Sequence, residues 1–137
     1  MNFVLDASVT LSWCFEDEGG DYALRVLETL RASEAVAASP WPLEVANGLA
    51  VAERRGRLDA ATARRFMELV LALPIAVEPM SRSPALTGAY DLAHRRSLSA
   101  YDAAYLELAI RRAIPIATLD ARLREAAVAE GVEVFGA

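Results

Sequence analysis

The sequence predicts an α/β domain in which helices cover both faces of a central parallel sheet. Short apolar segments alternate with longer amphipathic segments along the whole chain. Such apolar runs are typical of strands buried on both faces, and their alternation with helices is typical of βαβ units. Because the crossovers of these units are right-handed, the carboxyl ends of the strands meet at one edge of the sheet.

Five segments are predicted to be strands. Residues 2–5 form the first apolar run, 35–38 the second, and Ile75–Val77 the third, which prolines bound on both sides. Residues 114–118 form the fourth run, and 132–134 form a short final one. The predicted central sheet therefore has about five strands.

About seven helices are predicted between these strands. The pair Gly19 and Gly20 separates the first two helices, Gly56 stops the third, and Asp59 is the expected N-cap of the fourth. The predicted helices span about 8–15, 20–32, 41–55, 60–72, 83–95, 100–112 and 121–130.

Length and composition favour a single soluble domain spanning 1–137. A chain of 137 residues that is 55% hydrophobic can bury a substantial core. It contains no run near the roughly 18 apolar residues of a membrane span, and its first residues lack the pattern of a signal peptide. The lone Cys14 fits a reducing compartment, so we expect a cytoplasmic protein without membrane contact.

Charge limits the possible functions. The formal net charge of −5 argues against binding of nucleic acid by the whole surface, but a nuclease with a local arginine cluster remains possible. All 14 basic residues are arginine, which removes every mechanism that needs a catalytic lysine.

Four carboxylates stand at the start of four different segments. Asp6 and Asp120 directly follow the first and fourth predicted strands, whereas Glu44 and Asp102 lie at helix starts. Each has an ordinary explanation as a helix cap or as a first-turn charge that the helix dipole favours. Together they are harder to explain, because two carboxylates 5 Å apart repel by roughly 3 kcal/mol at an effective dielectric of 20. A hard cation with a preference for oxygen ligands, Mg²⁺ or Mn²⁺, would offset that repulsion.

At these residues the chain resembles the PIN-domain ribonucleases, and especially the VapC toxins of type II toxin–antitoxin pairs. The matching segments are VLDAS at 4–8, PLEVAN at 42–47, SAYDAAY at 99–105 and ATLDARL at 117–123. They occur in the order and at the intervals of the family and span essentially the whole chain.

The resemblance implies a PIN-like fold with strand order 3-2-1-4-5 and an Mg²⁺- or Mn²⁺-dependent endoribonuclease. Asp6 and Asp102 match the principal metal ligands, and Glu44 and Asp120 complete a four-carboxylate catalytic pocket. The resemblance further places two small hydroxyl residues, Ser8 and Thr118, beside the ligands. It also implies an RNA substrate, a cognate antitoxin protein and a homodimer.

Phosphodiester hydrolysis agrees with this set of residues, since divalent ions activate water and stabilise the developing charge. Whether Glu44 and Asp120 bind a second ion or orient the water is left open by the sequence. Four arginines are the best candidates for contacts with the RNA backbone: Arg95, Arg96, Arg122 and Arg124.

Two other functions remain as alternatives. A non-catalytic PIN-like module would bind RNA or protein without cleaving it. An aspartyl phosphotransfer domain also places an aspartate after its first strand. That chemistry usually recruits a lysine, and its phosphatase form uses Asp-x-Asp, where this chain has Ser8.

Overall fold

The computed structural model describes residues 2–15 and 17–136. The sheet is built from four short strands, and all of its strand pairs are parallel: β1 (Phe3–Leu5), β2 (Ala35–Ala37), β3 (Ile75–Val77) and β4 (Ile116–Ala117). Their spatial order is β3-β2-β1-β4. The predicted parallel sheet is therefore confirmed. The first strand of the chain, β1, lies in the interior of the sheet, between β2 and β4.

The prediction of about five strands is wrong. Val134 forms only an isolated parallel bridge with Ile116, through two hydrogen bonds: Ile116 N donates to Glu133 O and Phe135 N donates to Ile116 O. The chain turns away immediately after the bridge, at the left-handed Gly136. The segment lies beside β4, where the expected strand order places it, but it is too short to be a strand.

Seven α-helices lie within the described residues, in agreement with the prediction. They are α1 (Ala7–Ser12), α2 (Gly20–Thr29), α3 (Trp41–Arg54), α4 (Ala60–Leu71), α5 (Ala89–Arg96), α6 (Ala100–Arg112) and α7 (Ala121–Ala129). Three boundaries differ by three residues or more. The helices predicted over 8–15 and 20–32 end earlier, at Ser12 and Thr29, and the helix predicted over 83–95 begins as a π-helical turn, Pro84–Gly88, before α5.

Side-chain alternation along the strands divides the core into two clusters. Val4, Val36 and Ile116 face the larger cluster, which the helices α3 to α7 complete. Phe3 and Leu5 face the smaller cluster, which is completed mainly by α1 and α2. Both faces of the sheet are therefore covered, and functional groups collect at the edge where the strands end.

The helix caps follow the sequence. Asp59 accepts a hydrogen bond from Thr62 N at 2.8 Å, and Gly56 has a left-handed φ of 75° just after α3.

In the parts of the chain that the structure describes, no helix is both long enough and apolar enough to cross a membrane.

Candidate active site at the carboxyl edge of the sheet

Asp6 is the most deeply buried of the four carboxylates. It directly follows β1, and its backbone N–H donates to Ala117 O in the neighbouring β4 at 3.0 Å. Although it occupies the N-cap position of α1, its side chain makes no capping hydrogen bond. Only 4% of Asp6 is exposed. The capping explanation therefore does not account for this buried carboxylate.

Two hydroxyl groups hold Asp6 in place. Ser8 Oγ donates to Asp6 Oδ2 at 2.6 Å, and Thr118 Oγ1 donates to the same oxygen at 2.7 Å. The hydroxyls also accept bonds from the backbone after β4, Ser8 Oγ from Leu119 N and Thr118 Oγ1 from Asp120 N. The predicted neighbours Ser8 and Thr118 thus join the loops after β1 and β4 around one carboxylate.

Glu44 lies half-buried in the first turn of α3, where the sequence places it. Its Oε1 accepts a hydrogen bond of 2.7 Å from the hydroxyl of Tyr105 in α6. Burial raises the pKa of Glu44, the Tyr105 hydrogen bond opposes this rise, and the negative charges of Asp6 and Asp102 add to it. Glu44 is therefore within electrostatic reach of two other carboxylates.

Asp102 sits in the first turn of α6, where its backbone N–H donates to Ser99 Oγ at 3.1 Å. Ser99 is therefore the N-cap of α6, and this bond is the half of a capping box that the serine side chain supplies. The side chain is half-buried, and burial raises its pKa, followed by the charges of Asp6 and Asp120. The sequence could not place this side chain, because it follows a turn between two helices rather than a strand.

Asp120 has a clear structural role. Its Oδ1 accepts from Arg122 N at 2.8 Å and Leu123 N at 3.1 Å, and so caps α7. Burial is the largest cause of the raised pKa of Asp6, and the negative charge of Asp120 adds to it. Asp120 is therefore both a helix cap and a member of the acidic cluster.

The four carboxylates thus form a connected electrostatic cluster, though a loose one. Asp6, Glu44 and Asp102 all have a raised pKa, to which the charges of other members contribute in every case. Among residues 2–15 and 17–136, however, no three Asp, Glu, His or Cys side chains converge closely enough to hold one metal ion. The donors fit a hard cation in type and charge, all being carboxylate oxygens at one edge of the sheet. Their side chains would have to move together to share an ion.

A cavity of about 590 Å³ opens beside Glu44. Leu43 and Tyr101, each next in sequence to a carboxylate of the cluster, line it together with Asn47. Leu43 is 77% exposed and Tyr101 63% exposed. Two large side chains with apolar surface therefore stand in solvent next to the acidic cluster.

The four predicted arginines differ in their contacts. Arg95, Arg96 and Arg122 line one cavity of about 370 Å³. Glu130 pairs with Arg95 at 3.1 Å and with Arg96 at 2.7 Å, whereas no ion pair of Arg122 is found in the described part of the chain. Arg124 is engaged internally: its Nε donates to Thr118 O at 2.8 Å and its guanidinium lies 4.5 Å from the centre of the Tyr22 ring.

Tyr105 is the contact that sequence reasoning missed. It is the last residue of the SAYDAAY segment at 99–105, and the sequence alone does not indicate a role for it. The available signal was a tyrosine one helical turn after Asp102, in a helix whose other buried residues there are alanine and leucine.

The family profile described as PIN domain matches residues 3–129. Ribonuclease VapC3 from Pyrobaculum aerophilum is 31% identical over 125 residues, which cover 91% of this chain and 94% of that protein.

Solved structures share the fold. PAE2754 from Pyrobaculum aerophilum superposes with a TM-score of 0.70 at 22% identity, covering 92% of this chain and 79% of that one. VapBC2 from Rickettsia felis, solved with a promoter DNA fragment, gives 0.67 at 10% identity and coverages of 98% and 97%. FitAcB from Neisseria gonorrhoeae gives 0.65 at 17% identity and coverages of 99% and 97%.

Proposed function

The chain belongs to the PIN-domain family, in its VapC group, and from this premise we propose that it is an Mg²⁺- or Mn²⁺-dependent endoribonuclease. In this proposal the domain 1–137 is the toxin of a toxin–antitoxin pair. The proposal is carried by the acidic cluster at the edge where the strands end: the charges of other cluster members help to raise the pKa of Asp6, Glu44 and Asp102. The nuclease function of the 31% identical relative supports it.

Asp6 and Asp102 would hold the principal ion, and Glu44 and Asp120 would complete the site. A bound divalent ion would supply Lewis acidity to the phosphoryl oxygens and to the attacking water. Ser8 and Thr118 fix Asp6 through Oδ2, so that Oδ1 is the oxygen not engaged by these hydroxyls. Asp6 is therefore the rigid donor of the site, around which the half-buried Glu44 and Asp102 would adjust.

Glu44 and Asp120 are the candidates to orient the water or to accept its proton. Asp120 is already committed through Oδ1 to the N-terminus of α7, which restricts its movement. Among the residues that the structure describes, Glu44 is held at one oxygen, by Tyr105. We therefore assign the proton-accepting role to Glu44 and an electrostatic role to Asp120.

The RNA would pass the two cavities next to the cluster. Unpaired bases stack on aromatic side chains, which suits the exposed Tyr101 beside Glu44. Phosphates favour arginines, and Arg122 is the best placed, two residues after Asp120 and without an ion pair among the described residues. Arg95 and Arg96 share one partner, Glu130, so the pair keeps a net positive charge that a phosphate could use. Arg124 is the weakest of the four candidates, because it is engaged in internal contacts.

A cognate antitoxin and a second copy of the chain are the proposed protein partners. The antitoxin partner is supported by the fold shared with VapBC2 and FitAcB, which cover nearly the whole chain. The homodimer rests on the family resemblance alone.

Cleavage of total RNA by the purified protein tests the enzymatic proposal. We expect cleavage with Mg²⁺ or Mn²⁺, none with EDTA, and a loss of at least about 100-fold in Asp6→Asn and Asp102→Asn, since each substitution removes a proposed ligand of the cation that would stabilise the developing negative charge. Asp21→Asn, which changes an exposed aspartate in α2, is the matched control and should cleave normally. Cleavage that survives in both cluster variants would refute the proposed chemistry. Toxicity that survives without cleavage would favour the non-catalytic binding module.

A further inference from the structure

Tyr105 links the helix that carries Asp102 to the carboxylate of Glu44. It lies one turn after Asp102 in α6, it is 0% exposed, and its hydroxyl donates to Glu44 Oε1 at 2.7 Å. No other side-chain hydrogen bond to Glu44 is found in the described part of the chain. The position of this carboxylate relative to α6 therefore depends on one phenol group.

The hydroxyl of Tyr105 is not required for packing. The neighbouring buried residues of α6 are Ala103, Ala104 and Leu106, and a phenylalanine ring would fill the same space. A buried hydroxyl without a partner is costly, so a tyrosine at this depth needs an acceptor. Its acceptor is a member of the acidic cluster, and the negative charge of Asp6 also reaches the hydroxyl. The hydroxyl therefore contacts one carboxylate of the candidate site and lies within electrostatic reach of a second.

We propose that Tyr105 is a positioning residue, which holds Glu44 by Oε1 and leaves Oε2 available to the divalent ion and the attacking water. This inference rests on the proposed function, because it assigns a role toward the ion and the water of that same site. Tyr105 itself touches neither substrate nor ion.

Two properties make the contact suitable for this role. First, a tyrosine hydroxyl is ordinarily protonated at physiological pH, so it can donate its hydrogen bond to Glu44 Oε1 throughout that range. Second, the contact spans 61 residues of sequence and connects the first turn of α3 with the second turn of α6. A shift of either helix would therefore change the distance between Glu44 and Asp102.

Tyr105→Phe removes the hydroxyl and keeps the ring. We expect the affinity of the purified protein for Mn²⁺, measured by calorimetry, to fall on the order of 10-fold or more, as for loss of a hydrogen bond to a charged group. The kcat should fall while the KM for RNA stays the same, since Tyr105 does not contact the substrate. Tyr22→Phe is the matched control, because it also removes a hydroxyl that donates a 2.7 Å bond, to Phe135 O, outside the acidic cluster.

A double-mutant cycle separates positioning from general stabilisation. In a Glu44→Ala background, Tyr105→Phe should leave Mn²⁺ affinity unchanged, because the carboxylate it positions is gone. Unchanged or higher Mn²⁺ affinity in the single variant, an equal loss in both backgrounds, or failure of Tyr105→Phe to fold would each overturn the proposal. A wild-type protein that neither binds Mn²⁺ nor cleaves RNA would instead overturn the proposed function together with it.

Discussion

Thr118 Oγ1 donates a hydrogen bond of 2.7 Å to Asp6 Oδ2, across 112 residues of sequence. The same hydroxyl accepts from Asp120 N at 3.1 Å, so that one buried side chain connects two of the four carboxylate residues. The geometry of the candidate site therefore depends on a residue that carries no charge.

Thr118→Val should impair both stability and activity. The substitution keeps the shape and removes the hydroxyl, which leaves a buried carboxylate oxygen with one donor fewer. Such a loss costs about 1–3 kcal/mol of unfolding free energy, measurable by urea denaturation. Thr118→Ser retains the hydroxyl and should retain most of the cleavage activity. Retained activity in Thr118→Val together with a loss in Thr118→Ser would show that the methyl group, rather than the hydroxyl, matters.

Divalent ions should stabilise the fold. An ion that binds only the native state at 100 times its dissociation constant adds about 2.7 kcal/mol, so Mn²⁺ should raise the melting temperature and EDTA should reverse the effect. Asp6→Asn and Asp102→Asn should show little or no rise. A full rise in both variants would place the ion elsewhere on the protein.

In the ion-free protein, the acidic cluster should lower the free energy of unfolding progressively as the pH rises from about 4 toward neutral. Burial raises the pKa of Asp6, so the folded protein binds more protons than the unfolded chain above the ordinary carboxyl pKa. Its destabilising effect is therefore absent at low pH and complete at high pH. Asp6→Asn should be more stable than the wild type in EDTA at pH 8, because the amide stays neutral where the buried carboxylate must be charged.

That advantage should shrink as the pH is lowered toward 4, as followed by thermal melts at several pH values. Asp59 is the contrasting control, because the Thr62 backbone N–H lowers the pKa of this cap. Its stabilising effect is complete at neutral pH and is lost as the pH falls. A constant difference between Asp6→Asn and the wild type would contradict the assigned pKa direction.

Arg122 and Arg124 should respond differently to neutralisation. If Arg122 meets a phosphate, Arg122→Gln reduces the salt dependence of RNA binding by about 0.7 in slope, measured in EDTA to prevent cleavage. Arg124→Gln should instead lower stability, since Arg124 bonds Thr118 O and lies over Tyr22. An unchanged slope in Arg122→Gln would remove this residue from the RNA path.

Tyr101→Ala should weaken substrate binding. Base–aromatic stacking is worth about 1–3 kcal/mol, which corresponds to roughly a 5- to 150-fold increase in the KM for RNA. Tyr101→Phe should be nearly silent, because it retains the ring. Tyr90→Ala, at a tyrosine that is also exposed, serves as the control. A KM that is unchanged in Tyr101→Ala would show that the cavity beside Glu44 does not take a base.

Hydrophobic patterning predicted the parallel sheet and its helices, because the burial that selects apolar runs also forms strands. It was wrong about 132–134, since two valines satisfy the pattern although the chain makes only one bridge before turning. The position of Asp6 beside the end of β4 was predictable, because Asp6 directly follows a strand of a parallel sheet. The place of Asp102 and the contact of Tyr105 with Glu44 were not, because they depend on where tertiary packing sets α6 relative to α3 rather than on any local pattern.

The single bridge at Val134 has a consequence for how copies of this protein meet one another. An uncovered strand edge is a template for pairing with another chain and hence for aggregation. Here the edge of β4 is occupied by the turn that carries Phe135, whose ring stacks on Phe3 at 4.2 Å between centroids. These few residues add little to the sheet, but they cover the edge of β4. They thereby prevent the sheet from being extended on that side by a strand of another chain.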